Sequence, residues 1–197
     1  MTDDEQIIAR VLSGDADAYR CLVEKYERSV FGFASGLVRN VTDVEDLAQE
    51  VFVAAITHLA SFDVRRARFS TWLLTIAHNR CCNHLKKRSL ASSGMGDLTS
   101  GAPSPDTVAS NRETWDRLDE ALGRLPIEQR TAFVLAEIQE IPLAEIAAIA
   151  GVPLGTVKSR VSRAKERLRR ELKEFQPVES DQPEPQQTGS QQSRSLT

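Results

Sequence analysis

The sequence predicts an all-α protein: two small helical domains on a flexible linker, followed by a disordered tail. Three observations carry this. Nearly every periodic apolar segment steps by three and four residues, the repeat of one helix face. The stretch from Ser89 to about Ser110 holds Ser92-Ser93-Gly94-Met95-Gly96 and Ser100-Gly101-Ala102-Pro103-Ser104-Pro105, too polar and broken to pack. Gln176–Thr197 is rich in Pro, Ser and Gln with little apolar content to bury. The domains fall at 1–88 and 111–175, with the linker at 89–110 and the tail at 176–197.

The elements follow in order. Between Asp15 and Arg39, the set Tyr19, Leu22, Val23, Tyr26, Val30, Phe33, Ala34, Leu37 forms a helical stripe. Thr42-x-x-Glu45 has the capping-box pattern and is expected to open a second helix, striped by Leu47, Val51, Ala55 and Leu59. A loop follows, Ser61–Arg68. Ser70 or Thr71 is expected to cap a third helix, with Trp72, Leu73, Ile76 and Ala77 on its apolar side, running to about Arg88. The second block starts near Asn111 with Trp115, Leu118 and Leu122. It breaks at Leu125-Pro126 and again at Ile141-Pro142, and closes with helices at Leu143–Ala150 and about Leu154–Phe175.

Composition narrows the function classes. The 197 residues carry 25 basic and 28 acidic side chains, net −3, with 41 % hydrophobic residues, as in ordinary soluble domains. No apolar run reaches the roughly 18 residues of a transmembrane helix, and the acidic N-terminus does not read as a secretory signal. Three cysteines make no disulfide framework, so a reducing cytoplasm is expected. The small net charge hides a patchwork. Residues 61–90 carry 7 basic and 1 acidic group, and residues 156–175 carry 8 and 3; residues 1–60 carry 5 and 11. Each basic block is a candidate phosphate-facing surface.

The second basic block sits in a helix-turn-helix layout. Leu143–Ala150 is a short helix, Gly151 suits a left-handed turn, and Val157 and Val161 can lock a second helix against the first. Thr156, Lys158, Ser159, Ser162 and Arg163 then point outward near the start of that helix, the part that meets base edges in the major groove. Lys and Arg donate to guanine and Ser bonds either way. Lys165, Arg167, Arg169 and Arg170 suit phosphates.

In the first block, Asp43, Asp46 and Glu50, with Gln49 beside them, make an acidic face that reads either as solvated surface or as a docking face. Next to it, Arg65, Arg66, Arg68, Arg80, Lys86, Lys87 and Arg88 are interleaved with Phe62, Phe69 and Trp72, a combination that can bind single-stranded nucleic acid; Trp72, at helical spacing from Ile76, reads first as core. Asn79 and Asn83, one turn apart, suit either base edges or water. His78, Cys81, Cys82 and His84 do not converge on a helix, since 78 shares a face with 82 and 81 with 84, so no metal centre is predicted.

These residues resemble a known family. Asp43–Phe52 resembles region 2.2 of bacterial sigma factors, and Phe69–Arg80 regions 2.3–2.4. Leu125–Phe133 resembles region 4.1, and Gly151–Arg160 region 4.2. Regions 2 and 4 alone, on a short linker, is the pattern of the extracytoplasmic-function (ECF) group. The resemblance implies a promoter-specificity subunit of RNA polymerase, cytoplasmic, with no cofactor and no catalytic residue of its own. It places Asp43, Asp46, Gln49, Glu50 and Phe52 on the β′ clamp helices of core polymerase, and region 4 on the β flap. It places Phe62, Arg65, Arg66, Arg68, Asn79, Arg80, Asn83, Lys86 and Lys87 on the −10 non-template strand, with Asn79 near a flipped base. Thr156, Lys158, Ser159, Arg160, Ser162, Arg163 and Arg167 fall on the −35 duplex. An anti-sigma factor is the further partner it implies, and a monomer in the holoenzyme is its expected state. The alternatives from the residues alone are a free-standing helix-turn-helix regulator and a thiol or metal enzyme built on the His/Cys group.

Overall fold

The structure, a computed structural model, describes residues 2–92 and 117–173. The expected linker beyond Ser92, Trp115 and the expected tail lie outside the described residues. In order, the elements are α1 (Asp3–Leu12), α2 (Ala16–Leu37), α3 (Val41–His58) with a 3-10 turn at Leu59–Ser61, and α4 (Phe69–Ser92). These form the N-terminal lobe. The C-terminal lobe holds α5 (117–123), α6 (Ile127–Phe133) running into a π-helical turn (Val134–Ile138), α7 (Leu143–Ala150) and α8 (Leu154–Lys173). The described residues include no strand.

Local chemistry sets the boundaries. Asp15 caps α2 by accepting from the Ala18 N–H at 3.1 Å. Helix α3 starts one residue before the expected capping box, because Asn40 is the cap: its Oδ1 accepts from the Asp43 N–H at 3.1 Å. Neither Ser70 nor Thr71 caps α4, which already begins at Phe69, and Thr71 sends its hydroxyl to the other lobe. Helix α4 also runs four residues beyond Arg88 into the expected linker, since Ser89-Leu90-Ala91-Ser92 contains neither Gly nor Pro to stop it. Gly151 takes the left-handed conformation (φ 64°, ψ 35°) that ends α7 at the turn. Helix α1 was not anticipated. Thr2 caps it, and Asp4 receives Lys25 Nζ (2.6 Å) and the Tyr26 hydroxyl (2.5 Å), tying it to α2.

The packing shows how two small lobes gain a sufficient core. Leu22, Val30, Phe33 and Leu37 of α2 bury fully against Val51, Ala55, Leu73 and Ala77 of α3 and α4. The same apolar cluster continues into Val134, Leu135, Ile146, Ile149 and Val157 of the C-terminal lobe. At about 1.5–3 kcal/mol for each large side chain removed from water, this shared core is a main stabilising contribution. A smaller cluster of Leu122, Leu125, Ala164 and Leu168 holds α5 on α8. The lobes approach closely at Gly36, where an added Cβ would lie 2.7 Å from a Val134 methyl group. Polar bonds align the contact: Ser29 Oγ donates to Gln139 Oε1 (3.0 Å) and Arg130 Nε to the Gly36 carbonyl (2.8 Å). Arg39 pairs with Asp119 at 3.0 Å.

Candidate nucleic-acid and protein interfaces

Helix α3 turns Val44, Leu47, Val51 and Ala55 to the core, which leaves Asp46, Gln49 and Glu50 on the exposed side. Asp43 is half-covered, with its carboxylate 2.9 Å from Arg88 and 3.4 Å from His84. Glu50 faces Arg80 at 3.4 Å. The acidic edge of α3 is thus paired with the basic edge of α4. Between α2 and α3 runs an apolar groove of about 520 Å³, lined by Val23, Phe31, Ala48 and Phe52 together with the polar Glu27, Arg28, Glu45 and Gln49. Phe31, 41 % exposed, is its largest open hydrophobe. Sequence reasoning missed Phe31, although Val23 and Phe31 are eight residues apart and therefore share a helix face. Phe52 contributes twice: its ring lines the groove, and its carbonyl accepts from the Tyr19 hydroxyl.

The loop before α4 is held at its base by an aromatic cluster. Phe62 packs on Phe69 (5.7 Å) and Trp72 (5.3 Å), and Phe69 on Tyr26 (5.3 Å). Phe62 and Trp72 are thereby engaged in packing. The loop's arginines remain outside: Arg65 and Arg68 are 87 % and 80 % exposed, and Arg66 is exposed too. Asp63 accepts from both the side chain and the N–H of Arg65, which holds its own carboxyl below the usual range and presets the loop. Beyond the loop, Asn79, Arg80, Asn83, Lys86 and Lys87 are exposed along α4.

In the C-terminal lobe, Val157 and Val161 are buried and lock α8 on α7. Lys158, Ser162, Arg163 and Arg167 are exposed, and Thr156 and Ser159 half-buried, with Ser159 Oγ donating to the Thr156 carbonyl at 2.9 Å. Arg160 departs from this outward set. It lines a cavity of about 220 Å³ between the lobes, together with Asn79, Asn83 and Lys86. His78 lines it too, and its imidazole is held below its ordinary value by burial and by the charges of Arg160 and Lys86. Residues expected to face two separate DNA elements therefore converge on one crevice.

Two of the three cysteines, Cys81 and Cys82, lie on α4, while Cys21 is exposed on α2. Burial pushes the Cys81 thiol up to about 12 and raises Cys82 as well. Cys82 Sγ lies 3.5 Å from His78 Nδ1 while His84 turns to Asp43, so the four candidate ligands split between two faces. Among the described residues, no group of three His, Cys, Asp or Glu could hold a metal. None of the described helices is long and apolar enough to cross a membrane.

Known proteins match both lobes. The Sigma-70 region 2 family matches residues 22–90, and the Sigma-70, region 4 family matches residues 115–168. The chain is 31 % identical over 180 residues to the ECF RNA polymerase sigma factor SigW of Bacillus subtilis, covering 85 % of this chain and 96 % of that protein. It is 33 % identical over 177 residues to the ECF sigma-E factor of Escherichia coli K12, covering 84 % and 92 %. Among solved structures, CnrH in complex with the cytosolic domain of CnrY superposes with a TM-score of 0.68 at 26 % identity, covering 88 % of this chain and 99 % of that one. The sigma factor RpoE of Bartonella quintana, bound to the anti-sigma factor NepR, also gives 0.68 at 26 % identity, covering 80 % and 98 %. With an acidic, grooved α3, a basic α4 and a helix-turn-helix on one chain, and relatives matched over nearly their full length, the protein belongs to the ECF sigma factors, the transcription initiation factors of bacterial RNA polymerase.

Proposed function

We propose that this sigma factor docks on core RNA polymerase through α3, reads the −10 strand with the loop and α4, and reads the −35 duplex with α8. The observation that carries this is the pairing of an exposed acidic edge and apolar groove on α3 with a basic, Asn-bearing α4 in one rigid lobe. Asp46 and Glu50 offer charge to basic partner helices, and Gln49 offers them a hydrogen-bonding amide. The groove at Phe31 and Phe52 offers them apolar contact, and Asp43 braces α4 through Arg88. Arg65, Arg66, Arg68, Arg80, Lys86 and Lys87 attract the strand, and Asn79 and Asn83 carry donors and acceptors for a base edge. Lys158, Ser162 and Arg163 read bases, while Thr156, Ser159 and Arg167 set the register on phosphates. Region 2 then spans 1–88 with the end of α4, and region 4 spans 111–175. Polymerase supplies the chemistry, and the chain works in the cytoplasm beside it. Two similar structures contain a bound protein partner, one of them an anti-sigma factor; an anti-sigma factor restraining this chain follows by likeness. The test is reconstitution: purified chain plus core polymerase gives promoter-specific transcripts, and neither alone does. Absence of specific transcripts overturns the reading.

A further inference from the structure

Glu145 of α7 meets the root of the −10 loop across the lobes. Its Oε2 accepts from the Thr71 hydroxyl at 2.7 Å, and its Oε1 lies 3.5 Å from Arg68 Nη1. The carboxylate is only 26 % exposed and Thr71 6 %. Three anion-attracting features meet here: a guanidinium, a buried hydroxyl, and the first turn of a 24-residue helix with no acidic residue of its own. The positive end of the helix dipole and its first N–H groups favour an anion at this place. Arg, Thr and a helix N-terminus are also the groups that hold nucleic-acid phosphates. A phosphodiester matches a carboxylate in unit charge and in two acceptor oxygens.

The carboxylate comes from the wrong lobe for a chain at work. Elements centred about 25 base pairs apart lie on the order of 80 Å apart along duplex DNA, at roughly 34 Å per turn. Region 4 seated on the −35 element cannot also keep Glu145 on Thr71. Opening the chain vacates this place and leaves Arg68 and Thr71 with no anion from region 4.

Building on the proposed function, we propose that Arg68, Thr71 and the start of α4 form a binding site for a backbone phosphate of the −10 strand, and that Glu145 occupies it as a built-in mimic while the chain is closed. The mimic makes self-docking and strand binding compete for one site. It adds to the crevice that already turns Asn79, Asn83 and Lys86 toward Arg160.

The test uses the full chain and a fluorescein-labelled single-stranded DNA of mixed sequence, read by anisotropy at low salt. Glu145→Gln keeps the side-chain shape and removes the charge; Glu166→Gln removes one charge from exposed α8 as a control for general electrostatics. The expected result is binding at least about tenfold tighter for Glu145→Gln than for Glu166→Gln, the scale of one charged hydrogen bond released. Adding Thr71→Val to Glu145→Gln should cancel that gain. Glu145→Asp, which keeps the charge but shortens the reach, should fall between wild type and Glu145→Gln, and it serves if the glutamine variant folds poorly. Equal gains for Glu145→Gln and Glu166→Gln, or a gain that survives Thr71→Val, would overturn the site. Promoter-specific transcription by wild-type holoenzyme decides the proposed function separately, so the two readings fail independently.

Discussion

Arg130 Nε donates to the carbonyl of Gly36 at 2.8 Å, so a buried guanidinium from one lobe closes the last turn of a helix in the other. The last carbonyls of a helix have no partner of their own, and a cation there also meets the negative end of its dipole. Burial disfavours the Arg130 charge, and the carbonyl offsets part of that cost. Arg130→Met keeps the volume and drops the bond. It is expected to lower unfolding stability by about 1–3 kcal/mol, read as a lower urea midpoint. An unchanged midpoint would remove Arg130 from the interlobe contact.

Gly36→Ala tests the close approach directly. In an ordinary helix interior this change stabilises by about 0.5–1 kcal/mol. Here the new methyl would press on Val134 from 2.7 Å, and overpacking costs about 1–3 kcal/mol. The clash wins if the lobes are docked in solution. Net destabilisation, with a larger radius of gyration by X-ray scattering, is the expected outcome.

The docking face makes a binding prediction. Asp46→Arg with Glu50→Arg reverses the charge on the exposed edge of α3 without touching its core side. Core-polymerase capture should fall at least about tenfold, the effect of roughly 1.4 kcal/mol, while stability falls by no more than about 1 kcal/mol, the scale of the exposed Arg80–Glu50 pair that is lost. Intact capture would sink the assignment of α3.

In α8, Lys158→Ala and Arg163→Ala are each expected to weaken −35-dependent initiation by about 1–3 kcal/mol and relax base preference at one position. Arg167→Ala should weaken initiation evenly across sequences and flatten its salt dependence. Transcription from promoters with single −35 changes separates the two behaviours.

Cys81 predicts a pH dependence. Its thiol titrates near 9.0 when free and is pushed up to about 12 by burial. Below pH 9 both states hold the proton and nothing is lost. Between about 9 and 12 the unfolded chain releases it and the native chain does not, so stability falls by up to about 1.4 kcal/mol per pH unit from this group. Half-buried Tyr19, raised to about 12, adds its own decline from its free value of 10.0 upward. Denaturation of wild type against Cys81→Ala across pH 8–11 isolates the cysteine, since only the wild type should show the extra slope.

The sequence made some of this visible and hid the rest for physical reasons. Gly151, Val157 and Val161 announce the turn and the lock of the helix-turn-helix because the requirement is local, and the acidic edge of α3 follows from helical spacing. The interlobe contact is not local. Thr71 and Glu145 are 74 residues apart, and Gly36 and Val134 form no periodic pattern together. Asn40 displaced the expected capping box at Thr42 because both residues satisfy the same rule and only the chain's entry angle chooses between them. Helix α1 escaped notice although Thr2 and Glu5 stand at capping-box spacing. It is only ten residues long and opens on three acidic residues, and its hold on the lobe comes from Ile8 in the core with Ile7 and Val11 against it, besides the Lys25 and Tyr26 bonds to Asp4.

The bracing of α3 to α4 by Arg88–Asp43 and Arg80–Glu50 reaches beyond stability. Together with the shared core of Val51, Ala55, Leu73 and Ala77, it ties the helix proposed to grip the enzyme to the helix proposed to meet the strand. On the proposed roles, a tilt at the grip carries through to the reader, as in a single wrench. Grafting a foreign strand-reading helix onto this lobe would therefore succeed only if its basic edge arrived with it, because the mount and the tool are one part.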